Sequence, residues 1–207
     1  GVCTKERLED TAENYPYKHE FLKNVPDREN RLEGYLFPDT YDFYTGDDPV
    51  QVLNKMLNNF ANKYDDACAE QAEKLGMSMD EVIILASMIE KEAANDEERA
   101  NISAVFHNRL NNPSEFPYLQ SDATAMYGKR GDERTATLTT EQKNEDSPYN
   151  TYKVKGLPVG PICSPGMNSI EAALNPSNKD YYYFVAMKDG SESLFAKTYE
   201  QHQRNIE

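Results

Sequence analysis

Apolar side chains fall on nearly every side of a helical projection of residues 83–93, Ile83-Ile84-Leu85-Ala86-Ser87-Met88-Ile89-Glu90-Lys91-Glu92-Ala93, until two carboxylates and a lysine close the run. Ser78-Met79-Asp80-Glu81, directly ahead, has the spacing of a capping box, so a helix is expected from about Met79. A helix apolar all round is normally buried, and acids in its last turn must then be paired, hydrated or used for chemistry. At about 100° per residue, Glu92 lies on the arc of Leu85, Met88 and Ile89. Glu90 follows Ala86 and Ser87, and Lys91 points roughly away from Leu85. Desolvation therefore raises the Glu92 carboxyl more than that of Glu90, and a carboxyl that keeps its proton near neutral pH can serve as a general acid. On this segment alone a second reading stays open, in which residues 90–92 are the solvated end of a core helix.

The same patterning organises the rest of the chain. Thr4 caps a short helix to about Asn14, followed by an aromatic stretch to Phe21 and a charged, Pro-containing link through Asn30. Asp48-Pro49 opens a long helix carrying Val50, Leu53, Leu57, Phe60 and Tyr64 at helical spacing. Asp96 begins another helix, with Ile102, Val105, Phe106 and Leu110. From Asn112 to about Gly166, Pro, Gly, Thr and Asn predict long loops around short elements. Asn168-Ser169-Ile170-Glu171 reads as the cap of a short helix ended by Pro176. Tyr181 to Met187 reads as a strand, Asp189-Gly190 as a turn, Ser193 to Lys197 as the returning strand, and a last helix starts near Tyr199. Helices first and a hairpin later predict an α+β fold: a helical core carrying Glu92, long loops and a C-terminal β-hairpin. Residues 1–31 are expected to be an appendage and residues 32–207 the main domain.

Composition narrows the partners. With 36 acidic and 22 basic residues among 207, the formal net charge is -14, which argues against nucleic acid or an anionic membrane surface as ligand. Cys3, Cys68 and Cys163 are odd in number and lack CxxC spacing, so neither a disulfide framework nor a thiolate zinc site is predicted. His19, His107 and His202 lie far apart without metal-ligand spacing. No P-loop, GxGxxG, GxSxG or HExxH pattern occurs, and no metal or cofactor is expected. No apolar run is long enough to span a bilayer, and the start has no signal-peptide pattern.

The loops carry the remaining chemistry. Leu119-Gln120-Ser121-Asp122-Ala123-Thr124 gathers polar side chains between apolar ones, and Tyr149-Asn150-Thr151-Tyr152 joins two aromatic plates to an amide and a hydroxyl. Such sets suit carbohydrate, because amides and carboxylates bind sugar hydroxyls while Tyr faces cover the C–H surface of a pyranose. Gly156-Leu157-Pro158-Val159-Gly160-Pro161-Ile162 predicts a stiff wall of small residues that permits close backbone approach. Each motif singly is also compatible with turn chemistry.

Taken in order, Glu33-Gly34-Tyr35-Leu36-Phe37-Pro38-Asp39-Thr40-Tyr41, Ala86 to Ala93, Val105-Phe106-His107-Asn108-Arg109-Leu110, Leu119 to Thr124, Tyr149 to Tyr152 and Gly156 to Ile162 together resemble the YceG-like (MltG) endolytic murein transglycosylases. The resemblance runs from about Leu32 to the end. It implies a bacterial enzyme that cuts peptidoglycan glycan strands internally at the β-1,4 bond from N-acetylmuramic acid (MurNAc) to N-acetylglucosamine (GlcNAc), leaving a 1,6-anhydro end. The family's catalytic acid, the second of its Glu-Lys-Glu motif, corresponds to Glu92, the residue that the helical projection also favours. Gln120, Ser121, Asp122, Thr124, Tyr149, Asn150 and Thr151 are the implied substrate-binding residues, with a role for Asp122 as a second catalytic acid left open.

The resemblance further implies an N-terminal membrane helix and a LysM-like portion, with residues 1–31 as the tail of the latter, and hence an anchored protein on the extracytoplasmic face of the membrane, with cell-wall synthesis proteins as further partners. One departure is visible: where the family often has Gly-x-His-x-Phe, residues 190–195 read Gly-Ser-Glu-Ser-Leu-Phe, with Ser193 at the His position. The rival reading is a non-catalytic peptidoglycan-binding scaffold module.

Overall fold

A computed structural model describes residues 1–129, 138–188 and 190–207. The first helix, α1 (Lys5–Asn14), is capped by the Thr4 hydroxyl, which accepts from the Arg7 N–H, and packs on α2 (Pro49–Lys63). Asp48 caps α2, and Pro49 takes the first helical position, where its missing N–H has no intrahelical partner to lose. The buried face of α2 is Val52, Leu53, Leu57 and Phe60, while Val50 is half-buried. Tyr64 lies just beyond the helix end, its ring stacked 5.8 Å from that of Phe60.

A further helix, α3 (Asp66–Leu75), follows directly and was not predicted. Its only buried residues are Cys68 and Ala72, too few to give a periodic signal, so the Asp65 cap and the left-handed Gly76 (φ 69°) delimit it instead. The predicted capping box forms at the start of α4 (Met79–Glu92): Ser78 Oγ accepts from the Glu81 N–H, and Glu81 Oε2 accepts from the Ser78 N–H at 2.8 Å. Every residue from Val82 to Ile89 is buried. Leu85, Met88 and Ile89 are 0% exposed, and burying side chains of this size stabilises the fold by roughly 1.5–3 kcal/mol each.

Asp96–Glu98 form one turn of 3-10 helix capped by Asn95, and α5 (Arg99–Asn111) continues from it. Among its described residues the loop region holds two short helices, α6 (Asp122–Ala125) and α7 (Thr140–Asn144), the second opened by a Thr139/Gln142 capping box. Helix α8 (Met167–Leu174) packs along α4. It starts one residue before Asn168 with Gly166 at the cap position, which corrects the expected Asn168 cap. The physical reason is that both polar side chains serve tertiary contacts: Asn168 donates to Asp96 and Ser169 to Glu90.

Strands β1 (Tyr183–Ala186) and β2 (Ser193–Ala196) pair antiparallel, with Tyr183 opposite Ala196 and Ala186 opposite Ser193. β1 is shorter than predicted because the carbonyls of Tyr181 and Tyr182 accept from Asn108 and Arg109 of α5. Asp189 of the predicted turn lies outside the described residues; Gly190 has φ 70°. Helix α9 (Tyr199–Ile206) covers both strands. The result is the α+β arrangement predicted, with α4 at its centre against α8, α5, α3 and α6. Tyr17 and Leu22 join the same apolar core, and Arg28 is clamped by Asp80 of α4.

Candidate active site

Glu92 is the last residue of α4 and is half-buried at the edge of a 430 Å³ cleft. The described cleft walls are Lys91, Asp122, Ala123, Met126, Tyr127, Gly128, Lys129, Leu138 and Ile162. Ser121 Oγ donates to Glu92 Oε1 at 2.5 Å, and the Ala123 N–H approaches the same oxygen at 3.5 Å. Among the described residues Oε2 makes no hydrogen bond. Burial pushes the Glu92 carboxyl above its ordinary value; the Ser121 and Ala123 donors oppose this, and the Asp122 charge adds to it. Asp122 is exposed, and its Oδ1 accepts from Tyr152 Oη at 2.5 Å. Burial and the bond to Asp122 push the Tyr152 phenol up.

The loop that presents Ser121 is held from below by buried hydroxyls. Thr151 Oγ1 accepts from the Ser121 N–H at 2.9 Å and shares a 2.7 Å hydrogen bond with Thr124 Oγ1. Thr124 donates to the Ser121 carbonyl at 2.7 Å. The Thr151 carbonyl accepts from the N–H of Gln120, a non-glycine residue at φ 56°. Asn150 is buried too, its Nδ2 facing the carbonyls of Gln142, Lys143 and Glu145. The Tyr149 ring packs tilted against that of Tyr127, centroids 4.4 Å apart, and the Tyr127 phenol is raised to about 12 chiefly by burial. Tyr127 donates to Glu33, and burial pushes the Glu33 carboxyl up.

The other acid of the Glu-Lys-Glu segment is differently engaged. Glu90 Oε2 accepts from Ser169 Oγ at 2.6 Å, from Arg99 Nη1 at 3.3 Å and from the Gly166 N–H at 3.3 Å. Thus Glu90 is a paired acid tying α4 to α5 and α8, and Lys91 is exposed. The glycine-rich wall is used internally. A Cβ on Gly160 would lie 2.7 Å from Arg28 Nε, and one on Gly34 (φ 92°) would lie 2.6 Å from Pro161 Cγ. Close approach there serves the chain itself, while Ile162 lines the cleft. A second cavity, of 460 Å³, lies between α1 and residues 30–36 and does not include Glu92. Among the described residues no group of three or more His, Cys, Asp and Glu could hold a metal ion.

The YceG-like family profile matches residues 2–207. The chain belongs to the YceG-like family. Among its relatives, the endolytic murein transglycosylase of Bacillus subtilis (strain 168) is 39% identical over 186 residues, which are 89% of this chain and 49% of that protein. The endolytic murein transglycosylase of Streptococcus pneumoniae serotype 2 is 35% identical over 196 residues, 89% of this chain and 34% of that protein. The chain thus spans half or less of the length of these relatives. The crystal structure of a yceG-like protein from Listeria monocytogenes superposes with a TM-score of 0.83 at 32% identity, covering 98% of this chain and 67% of that one.

Within this YceG-like domain the fold gathers Glu92, Ser121 and Asp122 at one cleft. Thr124, Thr151 and Asn150 lie behind it with their side chains turned inward. Gln120 is exposed, with Oε1 3.4 Å from Arg109 Nη1, and Tyr149 flanks Tyr127. Tyr152, Tyr127, Met126, Leu138 and Ile162 were not singled out as site residues from the sequence. Only Tyr152 and Ile162 stood inside noted motifs; nothing in the local pattern of the others marks them.

Proposed function

We propose that this chain is the catalytic part of an endolytic lytic transglycosylase that cleaves the β-1,4 MurNAc-GlcNAc bond of peptidoglycan glycan strands to give 1,6-anhydroMurNAc ends. The observation that carries the reading is Glu92: a cleft-lining carboxyl kept toward its protonated form by burial, with one oxygen fixed by Ser121 and the other without a partner among the described residues. A protonated carboxyl so held can donate from its second oxygen.

In the proposed reaction Glu92 gives its proton to the leaving GlcNAc O4 as the C1–O4 bond breaks. The muramic O6 then bonds to C1, and its hydroxyl proton returns to Glu92. No water is consumed, and one carboxyl serves both steps. Ordinary glycosidases need a second carboxylate, and the substrate's own 2-acetamido group can take over shielding of the cationic centre, as in substrate-assisted families. Asp122, joined to Tyr152, is the second acid at the cleft; its charge favours the protonated form of Glu92 and faces the developing cation. Gln120, Ser121 and Tyr149 supply sugar contacts, while Thr124, Asn150 and Thr151 act by shaping the loop.

Residues 32–207 form the proposed catalytic unit, with residues 1–31 bracing it through Leu22 and Arg28 as the tail of a LysM-like portion. The substrate places the protein at the extracytoplasmic face of the membrane, beside wall-synthesis partners. A membrane anchor is part of this proposal; among the described residues no helix is long and apolar enough to cross a membrane.

Purified uncrosslinked glycan strands incubated with the chain and analysed by mass spectrometry are expected to yield anhydro-ended fragments, with Glu92→Gln inactive and Glu90→Gln active. Reducing ends without anhydro species indicate a hydrolase instead. Strand binding without turnover in both the chain and the full-length protein favours the scaffold reading.

A further inference from the structure

Arg109, in the last turn of α5, is 7% exposed, and among the described residues its guanidinium meets no carboxylate. It is held instead by neutral acceptors: Nε donates to the Tyr182 carbonyl at 2.7 Å, and Nη1 to the Leu119 carbonyl at 3.0 Å. Nη1 also lies 3.4 Å from Gln120 Oε1 and 3.5 Å from the Tyr118 carbonyl. The rings of Phe116 and Tyr183 face its Cζ at 5.5 and 5.2 Å. A buried cation without a counter-charge is costly, and the hydrogen bonds and ring faces offset that cost only in part. What the contacts accomplish is local. They fix Tyr118, Leu119 and Gln120, the three residues leading into Ser121, and tie them to the hairpin at Tyr182. Gln120 sits in the left-handed region, where a residue with a Cβ persists only when its surroundings hold it there.

We propose that Arg109 is a positioning residue for the reaction: its planar fork holds the Leu119-Gln120 turn in its strained form, so that Ser121 Oγ meets Glu92. The inference rests on the reading of Glu92 as the catalytic acid, but its geometry is testable without turnover. Lysine at this position keeps the charge and loses the fork, so it cannot bridge Tyr182 and Leu119 together. Loosening the turn withdraws the Ser121 donor from Glu92, and the carboxyl then holds its proton to higher pH. The other groups facing Glu92, Asp122 of α6 and Tyr152 of the following loop, with Lys91 beside it on α4, are unchanged in the variants.

The experiment is a carbon-13 carboxyl NMR titration of Glu92 in the folded chain, for the wild type, Arg109→Lys, Ser121→Ala and the double variant. Both single variants are expected to move the Glu92 midpoint to higher pH, and the double variant no further than Ser121→Ala alone. Adding Gln120→Gly to Arg109→Lys is expected to bring the midpoint back toward wild type, because glycine adopts the left-handed conformation without strain. On glycan strands, Arg109→Lys is expected to lower kcat about 10- to 100-fold with KM within threefold, the pattern of a lost transition-state alignment. A lowered melting temperature with an unmoved Glu92 midpoint makes Arg109 a structural anchor only and overturns the proposal. An inactive wild type in which the midpoints still move as stated refutes the catalytic reading while leaving the positioning geometry intact.

Discussion

Replacing Glu92 by Gln separates the physics of its burial from its chemistry. The substitution keeps shape and the acceptor for Ser121 but removes the titration. In the folded chain burial raises the Glu92 carboxyl above its ordinary value, against the opposition of the Ser121 and Ala123 donors. Between the unfolded and folded values the native state therefore binds more protons than the unfolded chain, so this group's contribution to stability falls as pH rises through that window. Its loss is at most about 1.4 kcal/mol per pH unit, and it is complete once pH exceeds the folded value. Urea unfolding from pH 4 to pH 8 is expected to give matching stabilities for wild type and variant at the acid end. The Gln variant is then expected to gain over wild type as pH rises, every other titration cancelling in the difference. As general acid and general base, Glu92 is also expected to account for about 10²–10⁴ in rate, or roughly 2.7–5.5 kcal/mol of barrier. A variant that is less stable at neutral pH, or whose curve runs parallel to wild type, refutes the desolvation reasoning; retained activity refutes the chemical assignment.

The Arg28–Asp80 pair has side chains only 4% and 10% exposed, two guanidinium bonds and a further donor from Tyr35, so Asp80→Ala leaves a buried cation and phenol unpaired. Urea denaturation is expected to show a loss of about 3–5 kcal/mol; a loss below about 1 kcal/mol counts against burial of the charge. Gly34→Ala places a Cβ 2.6 Å from Pro161 at φ 92°, and calorimetry is expected to register at least about 2 kcal/mol of destabilisation. Asn150→Ala removes the buried Nδ2 donor that the carbonyls of Gln142, Lys143 and Glu145 share at the end of α7, and is expected to cost about 1–3 kcal/mol with kcat falling more than KM rises. A rise in KM alone instead identifies Asn150 as a direct sugar ligand.

Glu92 was legible in the sequence because the period of a helix fixes which side chains share an arc, and its arc holds Leu85, Met88 and Ile89. The α4 capping box, the Asp48-Pro49 start and the hairpin were legible for the same reason: each is local chemistry within a few residues. Helix α3 escaped because only two of its residues are buried, and the Asn168 cap failed because tertiary partners claimed Asn168 and Ser169. Nor could local pattern tell that Thr151 and Thr124 face inward while Tyr152 reaches Asp122. The sequence by itself determined where the helices begin and which acid of the Glu-Lys-Glu segment is driven toward its protonated form. Only the tertiary structure decided that Glu90 is paired with Arg99 and hydrogen-bonded by Ser169, and that Ser121 is the group brought against Glu92. Capping and periodicity act over one or two turns, whereas those pairings join residues 9 to 79 positions apart and exist only once α4, α5, α8 and the loops have packed.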